Sequence, residues 1–169
     1  ELVRPSIVYA TMTKTYKTFK KGSKVEILYD KGNGTQYFIK GSDGKTAWVK
    51  KEYLEIPPDP PTNTDMMTKG EIEKFVKIKG FTSKTNYFIW VDIDRQILNL
   101  FKKENDSWKL LAQFPCSTGK NVTPTKRGLY TLGERGESFG SYNTLGAKYY
   151  IRYSGSYMIH SLPFLKGKI

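Results

Sequence analysis

The chain has 169 residues and a mass of 19.4 kDa, a length that suits one or two domains. Hydrophobic residues make up 38% of it and aromatic residues 14%, which excludes wholesale disorder, and no apolar run is long enough to span a bilayer as a helix. The formal net charge of +12 favours anionic surfaces of any kind, while one Cys and one His exclude an internal disulfide and a structural zinc site.

Short strands and tight turns fill the first third of the chain. Three apolar runs are predicted to be strands, at 25–29, 36–40 and 46–49. The turns between them contain Asn33-Gly34 and Asp43-Gly44, dipeptides that are typical of β-hairpins. We therefore predict a small β-barrel over residues 1–56.

A proline-rich segment follows the predicted barrel. Four of the eight prolines lie between positions 57 and 61, where they disfavour both a helix and a central strand. Such a segment is typical of a stiff, extended linker, so we place a domain boundary at 57–66.

One helix is predicted after the linker, within residues 67–84. Thr68 and Glu71 have the spacing of a capping box, and Gly80 is a suitable C-terminal cap. Apolar residues recur at helical intervals between these caps, at Ile72, Phe75 and Val76. The pattern indicates a short helix that packs between the two domains.

The remaining segment, 85–169, has the pattern of an antiparallel β domain. Strands are predicted at 87–94, 96–102, 108–117, 128–132, 147–153 and 156–161. Turns rich in Gly and Ser separate them, and no second helical segment is visible. The predicted fold class is therefore mainly β: a small N-terminal barrel and a β-rich domain, with one short helix between them.

Four pieces of this C-terminal segment together resemble one enzyme family. They are the hairpin 88–96, the run from Phe114 to Gly119 that leads into Thr123-Pro124-Thr125-Lys126-Arg127-Gly128, the strand 149–153, and Ile159-His160-Ser161-Leu162-Pro163-Phe164. Their order and spacing resemble the catalytic domain of the L,D-transpeptidases, the YkuD-type enzymes that cross-link bacterial peptidoglycan.

The resemblance implies a reaction and two site residues. A Cys thiolate attacks the carbonyl of the diamino acid at stem position three, terminal D-Ala leaves, and an amine of a neighbouring stem resolves the thioester. A base is needed because a free Cys is only partly ionised at neutral pH. In the family pattern this base corresponds to His160, and the carbonyl of Ser161 orients it. The resemblance implies no metal or cofactor, and inhibition by carbapenem-type β-lactams.

The nucleophile of the family pattern is absent from these residues. It belongs to a Ser-His-Gly-Cys motif beyond the base, and this motif does not occur before the last residue given, Ile169. We expect the full-length parent to supply it and the 169-residue chain to be inactive.

Cys116 is not expected to replace this nucleophile. Strict strand alternation would place it on an apolar face with Trp108, Leu110, Ala112 and Phe114. A Cys in that position behaves as a small buried hydrophobe with a high thiol pKa.

Four residues near the base are candidates for binding the substrate. Tyr142 and Tyr149 are expected to line the donor cleft, and Lys148 and Arg152 are expected to attract carboxylates of the stem peptide. The alternatives are packing roles for the two rings and solvated positions on the sheet face for the two cations.

The end of the N-terminal segment, Gly44 to Leu54, resembles a bacterial SH3-type module of the kind that tethers wall enzymes. Trp48 and Tyr53 are its candidate wall-binding residues, and the alternative is that both are core residues.

The sequence thus predicts a wall-targeted L,D-transpeptidase that forms 3→3 cross-links outside the cytoplasm, in the wall or on the outer face of the membrane. The alternative is a non-catalytic peptidoglycan-binding protein. A nucleic-acid partner is not expected, because no RNP-like or helix-turn-helix pattern is present. A dimer is expected through a strand edge left open by an incomplete β domain.

Overall fold

The computed structural model describes residues 3–140 and 145–165, which form one α-helix and twelve strands. The strands are β1 (Val8–Met12), β2 (Lys24–Asp30), β3 (Gln36–Lys40), β4 (Thr46–Lys50), β5 (Leu54–Glu55), β6 (Tyr87–Asp92), β7 (Ile97–Glu104), β8 (Ser107–Pro115), β9 (Arg135–Phe139), β10 (Leu145–Ser154), β11 (Tyr157–Ile159) and β12 (Phe164–Leu165). The helix is α1 (Lys69–Lys79), and a single 3-10 turn covers Lys51–Tyr53. The predicted mainly β class with one short helix is confirmed.

The N-terminal segment is a five-stranded antiparallel sheet in the order β4-β3-β2-β1-β5. The three predicted strands are present as β2, β3 and β4, while the short β1 and β5 were not predicted from the sequence. Alternation along the strands directs one set of side chains into a shared core, which includes Met12, Val25, Ile27, Tyr37 and Ile39. The likeness to an SH3-type module stays a prediction, as do the domain boundaries.

The predicted helix is confirmed, with both of its caps. The backbone N–H of Glu71 donates to Thr68 Oγ1 at 3.3 Å, and the N–H of Thr68 donates to Glu71 Oε2 at 2.8 Å. Gly80 ends the helix in the left-handed conformation, at a φ of 64°. Ile72 and Val76 are buried against the neighbouring sheet.

That neighbouring sheet contains three antiparallel strands, β6-β7-β8, and α1 covers one of its faces. The face is strongly aromatic, since Phe88, Trp90, Phe101 and Trp108 all pack in the cluster around the helix. None of the helices in the described part of the chain is long and apolar enough to cross a bilayer.

A β-bulge in β8 contradicts the predicted face of Cys116. Leu110 lies opposite Phe101, but Ala112 lies opposite Leu100, so Leu111 is an extra residue in the ladder. One extra residue reverses the alternation, and Ala112 therefore faces away from the side of the sheet that Leu110 occupies. The prediction of a single apolar face running from Trp108 through Phe114 was wrong for this reason.

The remaining strands form the second sheet of the C-terminal segment 85–169. In this second sheet, β10 pairs with β9, β11 and β12. The predicted strands at 147–153 and 156–161 correspond to β10 and β11. The predicted strand at 128–132 is wrong, because this segment has no ladder partner among the described residues, and the strand occurs instead at Arg135–Phe139. Leu129 is 69% exposed, and its apolar character produced the error.

The capping box gives a prediction for the stability of the fold. Thr68→Ala removes the side-chain acceptor for the Glu71 N–H, so we expect a loss of about 1 kcal/mol in the free energy of unfolding. Urea unfolding followed by circular dichroism measures this. Thr82→Ala is the matched control, since Thr82 is exposed, and an equal loss in both variants would contradict a role for the cap.

Candidate functional site

His160 lies directly after β11, at the edge of the second sheet, and its side chain is exposed to solvent. Its Nδ1 is 2.7 Å from the carbonyl oxygen of Ser161, and its ring meets Phe139 edge-on at a centroid distance of 5.4 Å. A carbonyl oxygen only accepts hydrogen bonds, so Nδ1 is the protonated nitrogen of the neutral ring. The lone pair of Nε2 is then available to take a proton.

Ser161 is in turn fixed to β10 by two hydrogen bonds. Its N–H donates to the carbonyl of Lys148 at 3.0 Å, and the N–H of Lys148 donates to Ser161 Oγ at 2.9 Å. The carbonyl that contacts the imidazole is therefore attached to the longest strand of this sheet. This attachment limits how far the ring of His160 can turn.

The four predicted substrate-binding residues have different surroundings. The residue Tyr149 is 74% exposed, and its backbone has a φ of 55°. The ammonium of Lys148 is 5.9 Å from the centroid of the Phe164 ring. Arg152 is ion-paired with Glu134 at 3.0 Å, so part of its charge is already neutralised within the protein. Tyr142 lies outside the described residues. Their predicted roles stay predictions.

Glu134 and Tyr150 are two polar residues near the base that the sequence analysis did not select. The hydroxyl of Tyr150 donates to Glu134 Oε1 at 2.7 Å, and this bond, with Arg152, lowers the pKa of the Glu134 carboxyl. The same carboxylate raises the pKa of Tyr150. A Cβ at Gly136 would lie 2.7 Å from the Tyr150 ring, so the glycine leaves room for it. The Gly within this strand was the sequence feature that could have indicated the close approach of the Tyr150 ring.

The segment from Thr118 to Gly128 begins with a tight loop. A Cβ at Gly119 would collide with the carbonyl oxygen of Thr123, and the N–H of Gly119 donates to Thr125 Oγ1 at 2.7 Å. Gln96 fixes the start of the loop, because its side-chain amide accepts from the Thr118 N–H at 2.9 Å and donates to Thr118 Oγ1 at 2.7 Å. Only a residue without a Cβ fits at position 119.

Cys116 is half-buried beyond the end of β8, and its N–H donates to the carbonyl of Gln96 at 2.8 Å. Burial, and then the charge of Asp92, raise the pKa of its thiol. Within residues 3–140 and 145–165, no hydrogen bond links Cys116 to His160. The described residues also contain no cluster of three His, Cys, Asp or Glu side chains that could hold a metal ion.

The two candidate wall-binding residues lie in different parts of the N-terminal sheet. Trp48 is 39% exposed on its outer face, where its ring contacts Tyr29 and Phe38. Tyr53 is half-buried against the core and meets Tyr16 edge-on at 5.6 Å. Trp48 therefore has the accessible ring surface that binding needs, and Tyr53 has less of it.

The raised pKa of Cys116 gives a prediction for its reactivity. Alkylation by iodoacetamide requires the thiolate, so its rate in the folded chain should rise with a midpoint above the pH at which an unperturbed Cys ionises. Because Cys116 is the single Cys, the rate of alkylation is measured directly by the mass of the modified chain. The urea-unfolded chain is the control. Equal midpoints in the folded and unfolded chains would contradict this environment.

Comparison with known proteins identifies the family that the C-terminal segment resembles. Residues 86–168 match the family model of YkuD, the L,D-transpeptidase catalytic domain. A solved structure of a fused Zn-dependent amidase/peptidase/peptidoglycan-binding domain-containing protein from Clostridium acetobutylicum is similar, with 28% identity and a TM-score of 0.52. The similarity covers 57% of this chain and 42% of that protein, so the chain spans under half the length of this relative.

No curated protein matches. The family match nevertheless includes the base candidate, its neighbour Ser161 and the loop from Gly119 to Gly128. Residues 86–168 therefore carry a catalytic domain of the YkuD L,D-transpeptidase family.

Proposed function

We propose that this chain is the catalytic-domain and wall-targeting portion of an exported L,D-transpeptidase that forms 3→3 cross-links between peptidoglycan stem peptides. The observation that supports it most directly is the exposed imidazole of His160, whose Nδ1 is held by the Ser161 carbonyl while Nε2 remains available. The match of residues 86–168 to the L,D-transpeptidase family supplies the reaction class.

In the proposed reaction, Nε2 of His160 takes the proton of an attacking thiol. The sulfur forms a bond with the carbonyl carbon of the third stem residue, the bond from that carbon to the nitrogen of D-Ala breaks, and His160 returns the proton to the leaving amine. The amine of an acceptor stem then attacks the thioester, a new amide bond forms, and the thiolate leaves. His160 takes the proton that this amine loses. We assign the attacking thiol to a Ser-His-Gly-Cys segment of the family pattern, which the 169 residues do not contain.

The surroundings of the base are suited to an anionic peptide. Lys148 and Tyr149 lie on the strand that fixes Ser161, and the Tyr149 ring is exposed, so this strand offers a bound stem a cation and an accessible ring. We assign them to substrate binding, with Tyr142 as a further lining residue. Arg152 contributes less, because Glu134 already pairs with it. Carbapenem-type β-lactams would acylate the same Cys.

We assign the N-terminal sheet to wall targeting as an SH3-type module, with Trp48 as its contact residue and Tyr53 in support. The net charge of +12 supports retention on an anionic wall outside the cytoplasm. Nucleic acid is not a proposed partner. A dimer through a strand edge left open by an incomplete β domain is part of the proposal.

A second candidate function is peptidoglycan binding without catalysis. It is favoured by Cys116, whose raised thiol pKa and lack of a bond to His160 make it a poor nucleophile. The two functions differ in whether the parent protein releases D-Ala from a tetrapeptide stem.

Replacement of the base gives the main prediction for the parent enzyme. His160→Gln should lower kcat for D-Ala release from a disaccharide-tetrapeptide by about 10²- to 10⁴-fold, the usual contribution of a general base. The measurement is D-Ala release together with the mass of the cross-linked dimer. Lys84→Gln, an exposed change outside the site, is the control. Wild-type activity in His160→Gln would contradict the proposed role.

The 169-residue chain gives a complementary prediction. We expect it to release no D-Ala from a tetrapeptide stem, and Cys116→Ala should change nothing, because the reaction lacks its thiolate. Release by this chain that Cys116→Ala abolishes would show that Cys116 is the nucleophile.

A further inference from the structure

The N-terminal sheet contacts the catalytic domain through a buried carboxylate. Asp30, at the end of β2, is only 7% exposed. Its Oδ2 accepts the backbone N–H groups of Gly32 and Gly34 at 2.9 Å each, and the tight loop they form requires positive φ angles of 90° and 64°. Its Oδ1 accepts the hydroxyl of Tyr157, a residue 127 positions later, at 3.1 Å.

Tyr157 begins the strand that leads to His160. This strand, β11, has three residues and pairs only with β10 among the described strands. Short edge strands have few ladder bonds to hold them, so their position depends on anchors outside the sheet. The bond from Tyr157 to Asp30 is such an anchor, three residues before the imidazole.

The same sheet also holds the loop from Thr118 to Gly128. Tyr37, whose ring lies in the core of the sheet, donates its hydroxyl to the carbonyl of Val122 at 2.7 Å. Arg127 forms an ion pair with Glu26 of β2. The sheet therefore contacts this loop as well as the strand that leads to His160.

Lys126 connects these two segments at the domain contact. Its ammonium lies 4.5 Å from the centroid of the Tyr29 ring and donates to Ser154 Oγ at 3.0 Å. Tyr29 belongs to the N-terminal sheet and Ser154 to the end of β10. The loop, the hairpin β10–β11 and the N-terminal sheet thus share one continuous set of contacts.

From these contacts we infer that the N-terminal sheet is a positioning element of the catalytic site as well as a wall-targeting module. Asp30 and Tyr157 are its positioning residues: their hydrogen bond fixes the hairpin β10–β11 and thereby the direction in which His160 presents Nε2. The inference deepens the proposed function and rests on it, because it assigns a role to the imidazole as base.

The test uses two variants that change the same hydrogen bond from either side. Tyr157→Phe deletes the hydroxyl that donates it, and Asp30→Asn replaces the charged acceptor by a neutral amide, which also weakens the bonds to Gly32 and Gly34. Tyr16→Phe is the matched control, since Tyr16 packs on the same sheet and makes a ring contact with Tyr53 rather than with the catalytic domain. Amide spectra of each full chain establish that it is folded.

The first readout is the ring signal of His160 in the 169-residue chain, recorded as a ¹H–¹³C spectrum at one fixed pH. His160 is the single His, so the signal needs no further assignment. We expect Tyr157→Phe and Asp30→Asn to change the chemical shifts of the ring or broaden its resonances, and the double variant to match the more affected single one. If the His160 ring signal of both variants is the same as that of the control Tyr16→Phe, the inference is overturned.

The second readout is kinetic and uses the parent enzyme. Loss of alignment should lower kcat by about 10- to 100-fold with little change in KM, because a displaced base affects the chemical step more than binding. Unchanged kcat in both variants would overturn the positioning role. Absence of D-Ala release in the wild-type parent would instead refute the proposed function, and the spectra of His160 would still test the contact between the domains.

Discussion

The orientation of the His160 imidazole depends on one short contact, in which the carbonyl oxygen of Ser161 accepts a hydrogen bond from Nδ1. This contact assigns the tautomer, and the tautomer decides whether the other ring nitrogen, Nε2, accepts a proton or donates one. Two hydrogen bonds to Lys148 hold Ser161 against β10, so the orientation of the His160 ring follows from the ladder of the second sheet.

A chain of contacts connects this edge to the rest of the molecule. The hairpin β10–β11 meets the N-terminal sheet through Tyr157 and Asp30, and the loop before β9 meets it through Tyr37. Burial at this contact raises the pKa of Tyr153 to about 12 and that of Tyr157 further. These hydroxyls stay neutral in the folded chain, so their contribution to stability is complete below the ordinary Tyr pKa and is lost as the pH rises through the folded-state value.

Local signals in the sequence predicted local structure well. The capping box at Thr68 and the Asn-Gly and Asp-Gly turns specify a helix and two hairpins through contacts within a few residues. The β8 bulge at Leu111 was not predicted, because it depends on the register of β8 against β7. The strand predicted at 128–132 was wrong, because an apolar run forms a strand only where a partner strand is available. The motif around His160 identified the base candidate. The bond of Asp30 to Tyr157 joins residues 127 positions apart, and neither residue carries a signal of the other.

The most direct test of the central claim is the tautomeric state of His160. A two-dimensional ¹H–¹⁵N spectrum that correlates the ring protons with both ring nitrogens distinguishes a protonated nitrogen from one with a free lone pair, and one histidine gives one unambiguous pattern. Above the pH at which the ring loses its charge, we expect Nδ1 to be protonated and Nε2 to be unprotonated. A neutral ring with its proton on Nε2 would contradict this claim, since Nε2 would then have no lone pair for the thiol proton.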